Sequence, residues 1–180
     1  GNIGIGHVRW ATHGVPNVAN AHPHSSEKVS VVHNGIIENS DEIKKDLEKK
    51  GLQFKSQTDT EVITLLLTET LKENQPLDSV FKTLEKLKGS FALGIIFKDF
   101  SDIIIGARRG SPLAVGFSKD ENYLGSDSYA LKSMTNKISY LDDGEVCVLS
   151  KDNVKFYDSN NKKINKKVHT LSEDENIVEK

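Results

Sequence analysis

Apolar and polar residues alternate over Ile3–Trp10, and apolar or β-branched runs recur at Val29–His33, Phe91–Phe97, Ile103–Ala107 and Leu113–Phe117. Further runs lie at Tyr123–Gly125, Lys137–Leu141, Glu145–Leu149 and Val154–Tyr157. Each predicts a strand. Three- and four-residue spacing is concentrated between the second and third of these runs. There, Ser40 is placed to cap a helix that carries Ile43 and Leu47 on one face and stops at Gly51. Thr58-Asp59-Thr60-Glu61 has the pattern of a capping box and opens a second helix with Val62, Ile63, Leu66 and Leu67 among its apolar positions. Pro76 starts a third, with Leu77, Val80, Phe81, Leu84 and Leu87 in register. A short helical turn is predicted at Ser128–Met134.

Strands, then three helices, then many strands joined by short turns describe an α+β protein with a large antiparallel component. From Ser159 the chain turns polar and lysine-rich, then acidic through Glu173-Asp174-Glu175. That composition predicts a frayed end or a linker, so residues 1–163 are expected as the domain and 164–180 as a tail. The first alternating run starts almost at Gly1, which reads as a fragment whose upstream part has been removed. Its sheet neighbours are then expected to carry bare edges.

The 180 residues include 24 basic and 26 acidic side chains, for a net charge of −2. This balance argues against nucleic acid as a partner, because such a footprint needs a basic excess on one face. No apolar run approaches the roughly 18 residues that would span a bilayer. There is no basic-then-apolar leader, and the single cysteine fits a reducing cytoplasm.

Three segments carry candidate chemistry. Arg9 leaves a strand and enters a loop with Trp10, Thr12, His13 and Gly14. Its planar fork suits a carboxylate, although a surface salt bridge is the commoner fate of an arginine. Trp10 is either core or an aromatic lid. Asn34-Gly35 is either a hairpin turn or an oxyanion hole made of a side-chain amide and a backbone N–H. Asp59 sits in the first turn of a predicted helix, where the dipole already favours a carboxylate; it is also placed to pair with an ammonium. His13, His22, His24 and His33 crowd one third of the chain, but no common zinc spacing is met and no metal is expected. Cys147 alternates with Val146 and Val148 and has no neighbouring cation, so it reads as core.

The motifs RWATHG at Arg9–Gly14, NAHPH at Asn20–His24, HNGIIEN at His33–Asn39 and TDTEVI at Thr58–Ile63 resemble a family. It is the glutamine amidotransferase domain, of the N-terminal-nucleophile type, of glucosamine-6-phosphate synthases (glutamine:fructose-6-phosphate aminotransferases). The likeness continues through Arg109–Leu113 and Gly125–Asp127. The resemblance implies a four-layer αββα sandwich of the N-terminal-nucleophile hydrolase type, here lacking its first strands. It implies glutamine as substrate and no cofactor. Arg9 would take the α-carboxylate, Asp59 the α-ammonium, and Asn34 with Gly35 the oxyanion. Thr12 and His13 would line the pocket and Trp10 would belong to a closing loop.

The family's nucleophile is an N-terminal cysteine with its own α-amine as base, and Gly1 cannot replace it. The resemblance therefore implies a missing N-terminal segment, an inactive fragment, and a C-terminal sugar-phosphate isomerase domain in the parent chain. It leaves room for a homodimer through that parent. From another class, a catalytically silent amino-acid binding module would use the same Arg9 and Asp59 without chemistry. A histidine-metal hydrolase is the third reading.

Overall fold

The computed structural model describes residues 2–9 and 14–171. A seven-stranded sheet runs in the order β1 (His24–Ser25), β2 (Val29–Ile37), β3 (Gly89–Phe97), β4 (Phe100–Arg109), β8 (Val146–Leu149), β9 (Val154–Tyr157), β10 (Lys163–Ile164). A four-stranded sheet runs β11 (His169–Thr170), β7 (Lys137–Tyr140), β5 (Ala114–Phe117), β6 (Asn122–Gly125). Every pairing is antiparallel.

Period-two alternation decides which layer each side chain joins. On β2 and β3, Val29, Val31, Ile37, Leu93 and Ile95 face one way and pack against helices α1 (Ser40–Lys49), α2 (Thr60–Thr70) and α3 (Pro76–Leu84). On the opposite face of the large sheet, Ala92, Cys147, Leu149 and Phe156 meet Leu113, Val115 and Leu141, forming the core between the sheets. The outer face of the small sheet places Ala114 and Ile138 under Leu131 of α4 (Ser128–Leu131). The layers are therefore α/β/β/α. Helix α2 is buried around most of its circumference, as a helix between a sheet and two flanking helices must be.

Several expectations give way to tertiary contacts. Residues 2–9 form no strand, although Ile3, Ile5, His7 and Arg9 are half-buried while their neighbours are exposed. Alternation there reports which side faces the protein and does not supply a hydrogen-bonded partner. Asn34-Gly35 is not a turn: β2 continues through both, with Asn34 opposite Ala92 and Gly35 opposite Phe91. At Gly35 φ is +130°, and a Cβ would lie 2.0 Å from the Ser90 carbonyl oxygen, so only glycine fits.

Asn39, rather than Ser40, occupies the N-cap position of α1. Its side chain instead bridges the Lys86 carbonyl and the Lys88 N–H, each at 2.8 Å. The capping box at α2 does not form. The Glu61 carboxylate reaches back to the N–H groups of Lys55 and Ser56 and the Ser56 hydroxyl, and the Thr58 hydroxyl turns to His24.

The segment expected as a tail contributes β10 and β11, one to each sheet, and Ile164 joins the core between them. Lys166 anchors this segment. Its ammonium lies 2.6 Å from Asp142 and 2.9 Å from Glu145, whose side chain is only 10% exposed. The Lys166 hydrogen bond holds the Asp142 carboxyl below its ordinary value. For Lys166, burial pulls downward, but the bonds to Asp142 and Glu145 prevail and raise its pKa. No helix among the described residues is long and apolar enough to cross a membrane.

Lys166→Met is expected to cost about 1–3 kcal/mol at pH 7, because it leaves a largely buried carboxylate short of its donor. Because Asp142 is depressed, its contribution is present above the ordinary carboxylate range and is lost as pH falls through the lowered value. The difference between wild type and variant in urea midpoint should therefore shrink on acidification. Equal midpoints at pH 7 would show that the segment is only loosely attached.

Candidate active site

The second half of β2 and the start of α2 form two walls of a cleft of about 260 Å³, and His7, Arg9 and His22 complete it. Strand β2 supplies Asn34 and Gly35, while the turn into α2 supplies Thr58, Asp59 and Thr60. The two walls are tied by a hydrogen bond from the Ile37 N–H to Asp59 Oδ2, at 2.8 Å. Asp59 is buried at the N-cap position of α2, where its side chain makes no capping bond. Its carboxylate is therefore oriented by the strand and placed near the positive end of the helix.

Arg9 faces the same cleft. Its backbone is left-handed, with φ +49°, an uncommon conformation for a side chain of this size. Its N–H donates to His7 Nδ1 at 2.8 Å, and its guanidinium Nη2 reaches the Gly14 carbonyl at 3.3 Å. The other ring nitrogen of His7, Nε2, lies 2.5 Å from Asn34 Oδ1.

Behind these groups the Thr60 hydroxyl sits between two imidazoles, 3.1 Å from His22 Nε2 and 3.0 Å from His33 Nδ1. His24 Nε2 meets the Thr58 hydroxyl at 2.9 Å. Burial, reinforced by His7, His24, His33 and Arg9, drives His22 down to about 3. Burial also lowers His24, against the opposing pull of Glu61 and Asp59. Both rings are thus neutral near pH 7. Among the described residues, no group of three His, Cys, Asp or Glu side chains is placed to hold a metal.

A second cavity, of about 440 Å³, opens on the inter-sheet side of β2 and is lined largely by apolar groups such as Val32, Ala92, Leu113 and Leu124. It shares His7, His33 and Asn34 with the first. Asn34 therefore stands where the two spaces meet. The smaller cleft holds the opposed charges, so any recognition of a zwitterion belongs there.

The structure thus brings Arg9, Asn34, Gly35 and Asp59 to one space; Trp10, Thr12 and His13 lie outside the described residues. Sequence reasoning overlooked His7 and Thr60. The first was hidden in a presumed strand and the second in a presumed capping box. Arg109, part of a recognisable motif, is structural: it donates to the Leu84 and Leu87 carbonyls at the end of α3 and lies over the Phe91 ring. Cys147 is fully buried, and burial pushes its thiol up to about 12, so it is no nucleophile.

A glutamine amidotransferase domain model matches residues 7–133. The chain is 51% identical over 168 residues to glutamine–fructose-6-phosphate aminotransferase (isomerizing) of Mesorhizobium japonicum, which covers 93% of this chain and 28% of that protein. It is 53% identical over 159 residues to the protein of the same name from Zymomonas mobilis, covering 88% of this chain and 26% of that one. The chain therefore spans little more than a quarter of the length of these relatives.

Among solved structures, it is similar to the glutamine phosphoribosylpyrophosphate amidotransferase of B. subtilis complexed with ADP and GMP. The TM-score is 0.70 and the identity 26%, over 85% of this chain and 34% of that one. A structure described as the allosteric regulatory enzyme of purine biosynthesis matches with a TM-score of 0.71, at the same identity and coverage. The architecture is accordingly the αββα sandwich of the N-terminal-nucleophile type that the sequence motifs imply.

The histidine environment has a pH consequence. Because His22 is depressed from 6.5 to about 3, the unfolded chain binds its proton first as pH falls. Stability should be full above about pH 6.5 and decline steadily toward pH 3. His22→Gln should flatten that decline in a series of urea melts. Ring NMR should show His22 still neutral at pH 5; titration near 6.5 would contradict the assigned environment.

Proposed function

The chain belongs to the glutamine amidotransferase domain family, and on that premise we propose that the cleft beside β2 binds L-glutamine and presents its side-chain amide for hydrolysis. The observation that carries this reading is the shared cleft itself. A cationic fork at Arg9 and a carboxylate at Asp59 face one space, with Asn34 and Gly35 on its wall. Arg9 takes the α-carboxylate and Asp59 the α-ammonium, two charge-assisted contacts that fix the head of the amino acid. Neutral His22 adds no positive charge to compete with the ammonium. The amide at the other end of the substrate then reaches Asn34 and Gly35.

The chemistry is acyl transfer. A thiolate attacks the amide carbon, and the oxygen takes the negative charge, accepting hydrogen bonds from the Asn34 side-chain NH2 and the Gly35 N–H. The C–N bond breaks as nitrogen gains a proton, releasing ammonia and leaving a γ-glutamyl thioester; water then releases glutamate. Cys147 cannot supply the thiolate, so the reading assigns that role to a cysteine outside these 180 residues, with its α-amine as base. Trp10, Thr12 and His13 complete the pocket and its closing loop. The ammonia passes to a sugar-phosphate isomerase domain of the complete protein, which converts fructose 6-phosphate to glucosamine 6-phosphate.

Two measurements test this. By calorimetry the 180-residue chain should bind L-glutamine without releasing ammonia, and Arg9→Ala or Asp59→Ala should each weaken binding at least about tenfold, as expected for a charge-assisted contact. In the complete enzyme, Asn34→Ala should lower glutaminase kcat about 100- to 1,000-fold with little change in KM. Unchanged glutamine affinity in both anchor variants would overturn the assignment.

A further inference from the structure

We infer that His7 is a positioning residue for this reaction: its imidazole turns the Asn34 amide so that the NH2 group faces the reacting oxygen, and holds the left-handed backbone of Arg9. The inference rests on the oxyanion reading given above.

A backbone N–H can only donate, so the Arg9 N–H at 2.8 Å requires His7 Nδ1 to be the unprotonated acceptor. The proton of the neutral ring then sits on Nε2. The atom facing Nε2 at 2.5 Å must accept, and it is Asn34 Oδ1. With Oδ1 engaged, the Asn34 NH2 is directed away from the ring. A primary amide has nearly the same shape in either orientation, so packing alone does not choose between them. The reversed amide would set N–H against N–H, and an oxygen lone pair would then face the developing oxyanion.

The ring is itself braced. It stacks on His22 with centroids 4.4 Å apart and a 32° interplanar angle, and His22 is held by Thr60 at the start of α2. Arg9, whose φ of +49° needs external support, receives it at the same ring. One imidazole thus couples the group that holds the substrate's head to the group that stabilises charge at its tail.

The test separates the two contacts, using steady-state glutaminase kinetics of the complete enzyme. His7→Phe keeps a ring and loses both nitrogens; kcat should fall about 30-fold and KM for glutamine should rise several-fold, less than deleting an oxyanion donor outright. His7→Gln places an N–H near the Nε2 position and should recover kcat while KM stays raised. His7→Asn places an acceptor near the Nδ1 position and should recover KM while kcat stays low. Adding His7→Phe to Asn34→Ala should lower kcat no further than Asn34→Ala alone, which a merely structural role would not predict.

Wild-type kcat in His7→Phe, with kcat collapsed in Asn34→Ala, overturns this inference alone. Wild-type kcat in Asn34→Ala overturns the oxyanion reading and this inference with it. If the Phe variant does not fold, ¹⁵N NMR of the wild-type imidazole decides: a proton on Nε2 supports the inference, and a proton on Nδ1 overturns it.

Discussion

The bond on which the site depends joins the Ile37 N–H of β2 to the Asp59 carboxylate of α2. It is short, buried and charge-assisted, and it fixes the end of a strand against the beginning of a helix. Together with the His33–Thr60 hydrogen bond, it joins the two elements that carry Asn34-Gly35 and Asp59. The spacing between Asn34-Gly35 and the Asp59 carboxylate is thereby tied to backbone geometry. The same carboxylate ties strand to helix and lines the cleft, and its bond to the strand accounts for the missing side-chain cap at the N-cap position of α2.

Strand β2 must also be continuous, and Gly35 permits that. Its left-handed φ lets the strand stay paired to β3, whose Ser90 carbonyl occupies the space a side chain would need. Two residues before Gly35, His33 points into the helical layer and meets Thr60. The intervening Asn34 borders both cavities. A single strand therefore serves both the core and the candidate site.

Two of the imidazoles beside the cleft, His22 and His24, are held below the ordinary histidine range, chiefly by burial. His22 is the extreme case, since neighbouring rings and Arg9 all oppose a second positive charge. Arg9 and Asp59 face this cleft, and in a partly dehydrated space fixed charges act more strongly than they would in water.

Local pattern was enough for the elements that hold the site: the apolar rhythm of β2 and β3, the buried faces of α1 and α3, and Pro76 as a helix start follow from periodicity and turn chemistry. The motifs around Arg9, Asn34 and Asp59 also named the residues that the fold brings together, although they lie up to 50 positions apart in the chain. What local pattern could not decide was any choice between two partners of similar energy. Thr58, Asp59 and Glu61 could have capped their own helix, but they bond to His24, to β2 and to the preceding loop, because those donors and acceptors are buried and need satisfying. Asn34-Gly35 could have turned, but β3 offered a ladder. The lysine-rich end could have frayed, but Asp142 and Glu145 gave Lys166 a place to bind. Sequence determined which residues the site has to work with; tertiary structure decided their hydrogen-bond partners, because a buried polar group takes the partner that the whole fold makes available.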